Sequence, residues 1–252
     1  MYILTIGLWC LYAYILSELI YKYRFEIKKH WLGYHTIKNT STKELLNLTV
    51  QLVSFTHSTI CVLYSSIILA IIYISGGNMY SIGKINNFDY LLGVFSLGYF
   101  VTDSVLCVLR KTNILFLYHH IICCIIFYTI VSYGLGRSEL VLGLFIGEIT
   151  NPIQKIWEVL KSSKSKYFYY VNFIYTPFYV IIRGIAMPII IMNIQKEILY
   201  GVDSELIPIG CKILWTIGNI LIQFGSFLWS YKTFTGFYKY LHTHELPHSH
   251  LQ

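Results

Sequence analysis

Long apolar stretches broken by short polar, basic connectors run the whole length of the chain. They predict helical membrane spans at about Tyr2–Tyr21, Asn47–Ile74, Phe88–Leu109, Asn113–Tyr133, Glu139–Leu160, Phe168–Met192 and Pro208–Tyr231. Each is close to the roughly 20 residues that a helix needs to cross a hydrocarbon core. The expected fold is an all-α membrane protein with about seven transmembrane helices, its termini on opposite sides.

Within the spans the polar residues fall at helical intervals. The third span carries Ser96, Tyr99 and Asp103, the fifth Glu148, Asn151, Lys155 and Glu158, and the sixth Asn172, Thr176, Tyr179 and Arg183. The seventh carries Asn219, Gln223, Ser226 and Ser230, the second Ser54, His57, Cys61 and Tyr64, and the fourth contributes His119 and His120. Residues three and four apart share one face of a helix, so each span has a narrow polar stripe on an apolar cylinder. Polar side chains in spans commonly do no more than bond to neighbouring helices, at about 0.6 kcal/mol each. An ionisable group near mid-bilayer costs more, about 2.5–3.5 kcal/mol even on the mildest scale. His57, Asp103, His119, His120, Glu148 and Arg183 therefore point to a shared polar interior. At 1.5 Å per residue, His119 and His120 lie roughly 10 Å inside one end of their helix, with Asp103 level on its neighbour. Arg183 is expected in the other half of the bundle, paired with Glu148 or facing a separate polar pocket.

Composition agrees with a bilayer. The chain has 252 residues, 56% hydrophobic and 12% charged, against about 25% charged in soluble domains; the mean hydropathy is +0.58. The net charge of +7 comes from Lys and Arg between spans, not from a basic face with interleaved aromatics, so no nucleic-acid partner is expected. The first, third and fifth loops and the tail hold thirteen of these cations (Lys22, Arg24, Lys28, Lys29, Lys38, Lys43; Arg110, Lys111; Lys161, Lys164, Lys166; Lys232, Lys239). The other side holds four: Lys84, Arg137, Lys196 and Lys212. The positive-inside rule then places the N-terminus in the lumen and the C-terminus in the cytosol. The sequons at Asn39 and Asn47 fall on the cytosolic side, where no glycan is added.

Met1–Tyr21 lacks a basic leader and a cleavage site and reads as a retained span, and the C-terminal residues carry no prenylation or retention signal. The six cysteines (Cys10, Cys61, Cys107, Cys123, Cys124, Cys211) read as small apolar side chains, with neither a disulfide framework nor a zinc motif among them; no metal is expected. His242, His244, His248 and His250 read as a solvated tail. Pro152, Pro177 and Pro188 should bend their spans.

One set of residues resembles a known family. Asp103 on one span, Tyr118-His119-His120 on the next, then Gly147-Glu148-Ile149-Thr150-Asn151-Pro152 and Trp157-Glu158-Val159-Leu160-Lys161 resemble the core of the TLC domain, shared by ceramide synthases, translocon-associated membrane proteins and small TLC-domain proteins. The form closest to this one is that of the small proteins of subfamily four. Ceramide synthases have a His-Asp doublet and a further Asp where this chain reads Gly147, Glu148 and Asn151. The resemblance implies a six-helix TLC bundle over residues 44–240, preceded by a first helix and basic cytosolic loop (1–43) and followed by a cytosolic tail (241–252).

It also implies lipid binding or membrane lipid homeostasis in the endoplasmic reticulum or another endomembrane, with a membrane lipid or acyl chain as partner. In ceramide synthases the histidine pair joins an acyl group from acyl-CoA to a sphingoid amine. The alternative implied is thus an acyl-CoA-dependent N-acyltransferase, acyl-CoA being its co-substrate and no cofactor being required. There His119 or His120 would be nucleophile or base, and Glu148 and Asp103 the orienting acids. His57, Tyr99, Asn151, Arg183, Asn219 and Gln223 would line the lipid pocket. A seven-span receptor is a second alternative, resting on span count and orientation.

Overall fold

The computed structural model describes residues 1–23, 42–110, 114–163 and 165–243. The first loop from Arg24 to Lys38, the sequon at Asn39, Lys111, Lys164 and the tail histidines His244, His248 and His250 lie outside them. Apart from one bridge between Lys84 and Leu135, the regular structure among the described residues is helical. The helices are α1 (Tyr2–Lys22), α2 (Thr42–Ile74), α3 (Asn87–Arg110), α4 (Ile114–Tyr133), α5 (Arg137–Glu148), α6 (Asn151–Ser162), α7 (Phe168–Ile181), α8 (Met187–Tyr200) and α9 (Ile209–Thr243). A π-helical turn, Ile182–Ala186, joins α7 to α8 without interruption, and a 3-10 turn, Ser204–Leu206, precedes α9.

Among the described residues, six helical stretches are long and apolar enough to cross a membrane: α1, α2, α3, α4, α7–α8 as one piece, and α9. The predicted fifth span departs from expectation. It forms two helices of 12 residues each, neither long enough alone. Ile149 and Thr150 between them keep right-handed helical dihedrals, and both helices pack along α2, so the pair makes one bent traverse of roughly 39 Å. The break falls at Pro152, which has no N–H to donate and whose ring crowds the Glu148 carbonyl four residues back. The sixth and seventh spans also run longer than predicted, to Tyr200 and Thr243.

The bundle sets its polar groups within an apolar core and is apolar outside. Ser54, His57, Ser96, Asp103, Glu148, Asn172, Thr176, Arg183, Asn219, Ser226 and Ser230 are buried, whereas Ile3, Ile67, Ile74, Val108, Ile174, Ile220 and Phe224 are exposed. In water that arrangement would be unstable; in a bilayer the tails solvate the outer face and the interior satisfies the polar groups. Trp9 of α1 enters the core, donating its indole N–H to the Phe95 carbonyl at 3.0 Å, and Thr5 packs on Gly98 of α3.

One end of the bundle is tied by its loops. Asn86 and Asp89 exchange side chain-to-backbone hydrogen bonds of 2.9 Å each, a capping box that starts α3. Arg137, the first residue of α5, lies 2.9 Å from Asp89. Gly136, at φ 95°, turns the chain into α5 and donates its N–H to the Ile82 carbonyl. A Cβ there would meet the Trp215 ring at 2.9 Å, so both conformation and space favour glycine. The height of α5, and of the residues it carries, is fixed from this end.

Candidate functional site

Inside the bundle, α5 meets α4, the π turn, α8 and α9 around a cavity. Phe100, His119, Cys123, Phe127, Glu139, Gly143, Gly147, Glu148, Arg183, Ile191, Ile194 and Asn219 contribute to its lining. Its volume is about 50 Å³, a narrow space between these side chains, so a larger occupant has to part its walls. Glu139, Gly143 and Gly147 follow one another at intervals of four on α5, and a Cβ on either glycine would meet no atom within 4 Å. The missing side chains are therefore what leaves this stretch of wall open. Glu139 and Glu148 are nine residues apart, about 13 Å along the helix, with apolar wall between them.

The bend at Pro152 gives the site its polar end. Where α5 stops, the Gly147 carbonyl receives the Arg183 guanidinium, which also donates to Thr150 Oγ1 at 3.1 Å and to Asn151 Oδ1 at 3.2 Å. Asn151 in turn donates its amide to Glu148 Oε2 at 2.8 Å. Arg183 thus braces a carbonyl beside the break, and it reaches Glu148 through Asn151 rather than directly. The π turn places it there: the Met187 N–H bonds to the Ile182 carbonyl five residues back, widening the helix where Arg183 leaves it. Such turns recur at functional positions.

The two adjacent histidines face different surroundings. His119 lines the cavity, with its Nε2 3.8 Å from Cys123 Sγ and its ring edge-on to Trp229. His120 turns toward α3, with Nδ1 3.1 Å from Asp103 Oδ2, and its ring lies beside that of Phe100. His57 is fully buried and stacked on Tyr99 with ring centroids 3.7 Å apart. Its Nε2 is 3.2 Å from Cys61 Sγ, and its Nδ1 is 3.9 Å from Glu148 Oε2.

Of the ten residues singled out from sequence, His119, Glu148, Arg183 and Asn219 line the cavity. Asn151 holds two of them. His57 and Tyr99 form a stacked layer behind Glu148, and His120 with Asp103 forms a second group. Gln223 donates to the Arg183 carbonyl at 3.4 Å and supports the π turn from outside the lining. These groups adjoin one another: Tyr99 stacks on His57 and lies 6.4 Å from the His120 ring, and the His119 and His120 rings are 5.5 Å apart, although α4 directs the two histidines about 100° apart.

Glu139 escaped the sequence reading. It sits in the first turn of α5, is buried, and accepts a 3.1 Å hydrogen bond from Asn219. It stands at the first position of the predicted fifth span; the four-residue step to Gly143 and Gly147 was the available signal. Thr150, the Arg183 acceptor, was also missed. Both are chemically able to orient a polar ligand group, while imidazole His119 and carboxylate Glu148 offer proton acceptors on the same cavity.

No curated protein and no solved structure matches the chain. The TLC-domain profile does match, over residues 47–235, which is 189 of the 252 residues and includes every residue of the cavity; this chain belongs to the TLC-domain family.

Proposed function

We propose that the chain binds a membrane lipid in the cavity between α4, α5, α8 and α9 and acts in membrane lipid homeostasis. The observation that carries the reading is the composition of the wall. Phe100, Phe127, Leu144, Ile191 and Ile194 offer apolar surface to an acyl chain, and His119, Glu148 and Arg183 offer hydrogen-bonding groups to a head group. A buried polar set of this kind is costly in a membrane unless it serves a ligand or a partner helix. The loop cations support a lumenal N-terminus and a cytosolic C-terminus. The form of the motif, with Gly147, Glu148 and Asn151, supports kinship with the small TLC-domain proteins and, through them, an endoplasmic-reticulum location.

One observation favours an enzymatic variant of the same reading. His119 and Glu148 both face the cavity, so an imidazole could attack a thioester or accept an amine proton there. This would be the acyl-CoA-dependent N-acyltransferase, with His119 rather than His120 as the reacting group. The receptor alternative rests on span count and orientation.

The test is purification of the full chain in mild detergent, followed by lipid extraction and mass spectrometry, and by incubation with labelled acyl-CoA and a sphingoid base. A defined lipid should co-purify, and its yield should fall in His119→Ala. Amide product abolished by His119→Ala would establish the transferase. A chain that retains no lipid and takes up none from mixed micelles overturns both readings.

A further inference from the structure

We infer that Asp103, Cys107 and His120 form a zinc site that pins α3 to α4, separate from the lipid cavity. One carboxylate oxygen, the thiol sulfur and one ring nitrogen lie within 4.8 Å of one another, and all three residues are buried. Two of the separations are 3.1 Å, between His120 Nδ1 and Asp103 Oδ2, and 3.9 Å, between Cys107 Sγ and Asp103 Oδ2. Around a tetrahedral zinc with bonds of about 2.0 Å to N and O and about 2.3 Å to S, ligand atoms stand roughly 3.3–3.6 Å apart. The two Asp103 pairs lie a few tenths of an ångström from those spacings, and the Cys107–His120 pair, within 4.8 Å, closes by at most about 1.2 Å to reach them.

The His120 ring offers the nitrogen ligand. Its Nδ1 is close to the Asp103 carboxylate, yet it is a buried nitrogen with no hydrogen-bond partner. His120 is 92% buried, being 8% exposed, so no bulk water meets that nitrogen.

Charge and chemistry select the ion. Binding displaces the Cys107 thiol proton to solvent and uses the neutral imidazole and the ionised carboxylate. One thiolate and one carboxylate neutralise a divalent cation, which removes the cost of an isolated buried charge. A sulfur, a nitrogen and an oxygen donor fit zinc; calcium and magnesium take oxygen ligands. A route in also exists. Cys107 is three residues from the end of α3, about 4.5 Å along its axis, so an ion arriving at that end of the bundle need cross only one helical turn. No sequence motif announces the site, since Asp103 and Cys107 are one turn apart on one helix and His120 comes from the next. This revises the expectation that the cysteines hold no metal.

With zinc bound, His120 is held on α3, and the next residue back on α4, His119, is left facing the cavity. The site is independent of the lipid reading: removing the metal site and emptying the lipid cavity are separate outcomes.

The experiment strips the detergent-purified full chain with a chelator, then titrates it with zinc and, in parallel, with cobalt(II). About one zinc should remain per chain after desalting, and cobalt should give a sulfur-to-metal charge-transfer band. Cys107→Ser should lose that band and bind zinc at least about 10-fold more weakly, while Cys123→Ser keeps both. Because Cys107→Ser could misfold, a second measurement uses the unaltered chain: zinc should slow alkylation of Cys107 by N-ethylmaleimide, read by peptide mass spectrometry, and leave alkylation of exposed Cys10 unchanged. Substoichiometric zinc, a cobalt band that survives Cys107→Ser, or alkylation of Cys107 indifferent to zinc would overturn the site and leave an Asp–His contact alone.

Discussion

Replacing glycines on two sides of the bundle should give stability changes of opposite sign. Gly143 faces the cavity, and a Cβ built on it has no atom within 4 Å. Gly143→Ala therefore gains about 0.5–1 kcal/mol by removing a helix-interior glycine and meets nothing in return. At Gly93 the same methyl would lie 2.6 Å from Val131 Cγ2 and 3.3 Å from Leu140 Cδ2. Val131 is buried and β-branched, with little freedom to turn away. Overpacking of that kind costs about 1–3 kcal/mol, so Gly93→Ala should be destabilised overall.

In a chain of this size 1 kcal/mol corresponds to about 2–4 °C. Thermal unfolding in detergent, followed by tryptophan fluorescence, should move up for Gly143→Ala and down for Gly93→Ala. Gly143→Leu takes the argument to the ligand. Its side chain enters the space assigned to the lipid, and the two cannot share it without about 1–3 kcal/mol of overlap, or about 5- to 150-fold in affinity. Lipid yield by mass spectrometry should fall accordingly while the fold persists. Wild-type lipid content in a folded Gly143→Leu chain would refute the assignment of the cavity, and a loss in Gly143→Ala matching that in Gly93→Ala would refute its openness.

Arg183→Met should destabilise the chain by about 1–3 kcal/mol, because it strands the Gly147 carbonyl at the break, and Arg183→Lys should restore little, since one ammonium cannot serve three acceptors in a plane; melting curves of the three chains decide, and equal stability for Arg183→Met would remove the brace. Asn39 and Asn47 should carry no glycan when the chain is expressed in eukaryotic cells, so glycosidase treatment should leave its electrophoretic mobility unchanged. A shift traced to Asn39 would reverse the orientation read from the loop cations.

The inward facing of the polar stripes was legible because lipid forbids the alternative: Ser96, Tyr99 and Asp103 can share a helix face only by turning it to the interior. The bend at Asn151-Pro152 was legible too, since a proline inside a span has one common consequence. Its repair was not. Nothing local to Pro152 indicates that Arg183, 31 residues on, donates to the Gly147 carbonyl beside the bend. The π turn likewise left only an indirect trace in Pro177 and Pro188 on either side. Asp103 and His120 were named for their charge, but Cys107, one turn along, was read as filler, because a cysteine in an apolar helix looks the same with or without a ligand beside it. Glu139 was lost at a span edge, where hydropathy cannot separate a solvated carboxylate from one sealed under Asn219.

The π turn at Ile182–Ala186 also governs which changes of length the sixth span tolerates. An ordinary helix that loses one residue rotates everything after it by about 100°. A deletion near Tyr175 would thus swing Met187, Ile194 and Ile198, all now buried, toward the lipid. A deletion inside the wide turn would instead convert it to a regular one and leave α8 in phase, at the expense only of where Arg183 emerges. Insertions and deletions in this span should therefore be absorbed at the turn, which acts as a splice between two helices whose faces must stay aligned.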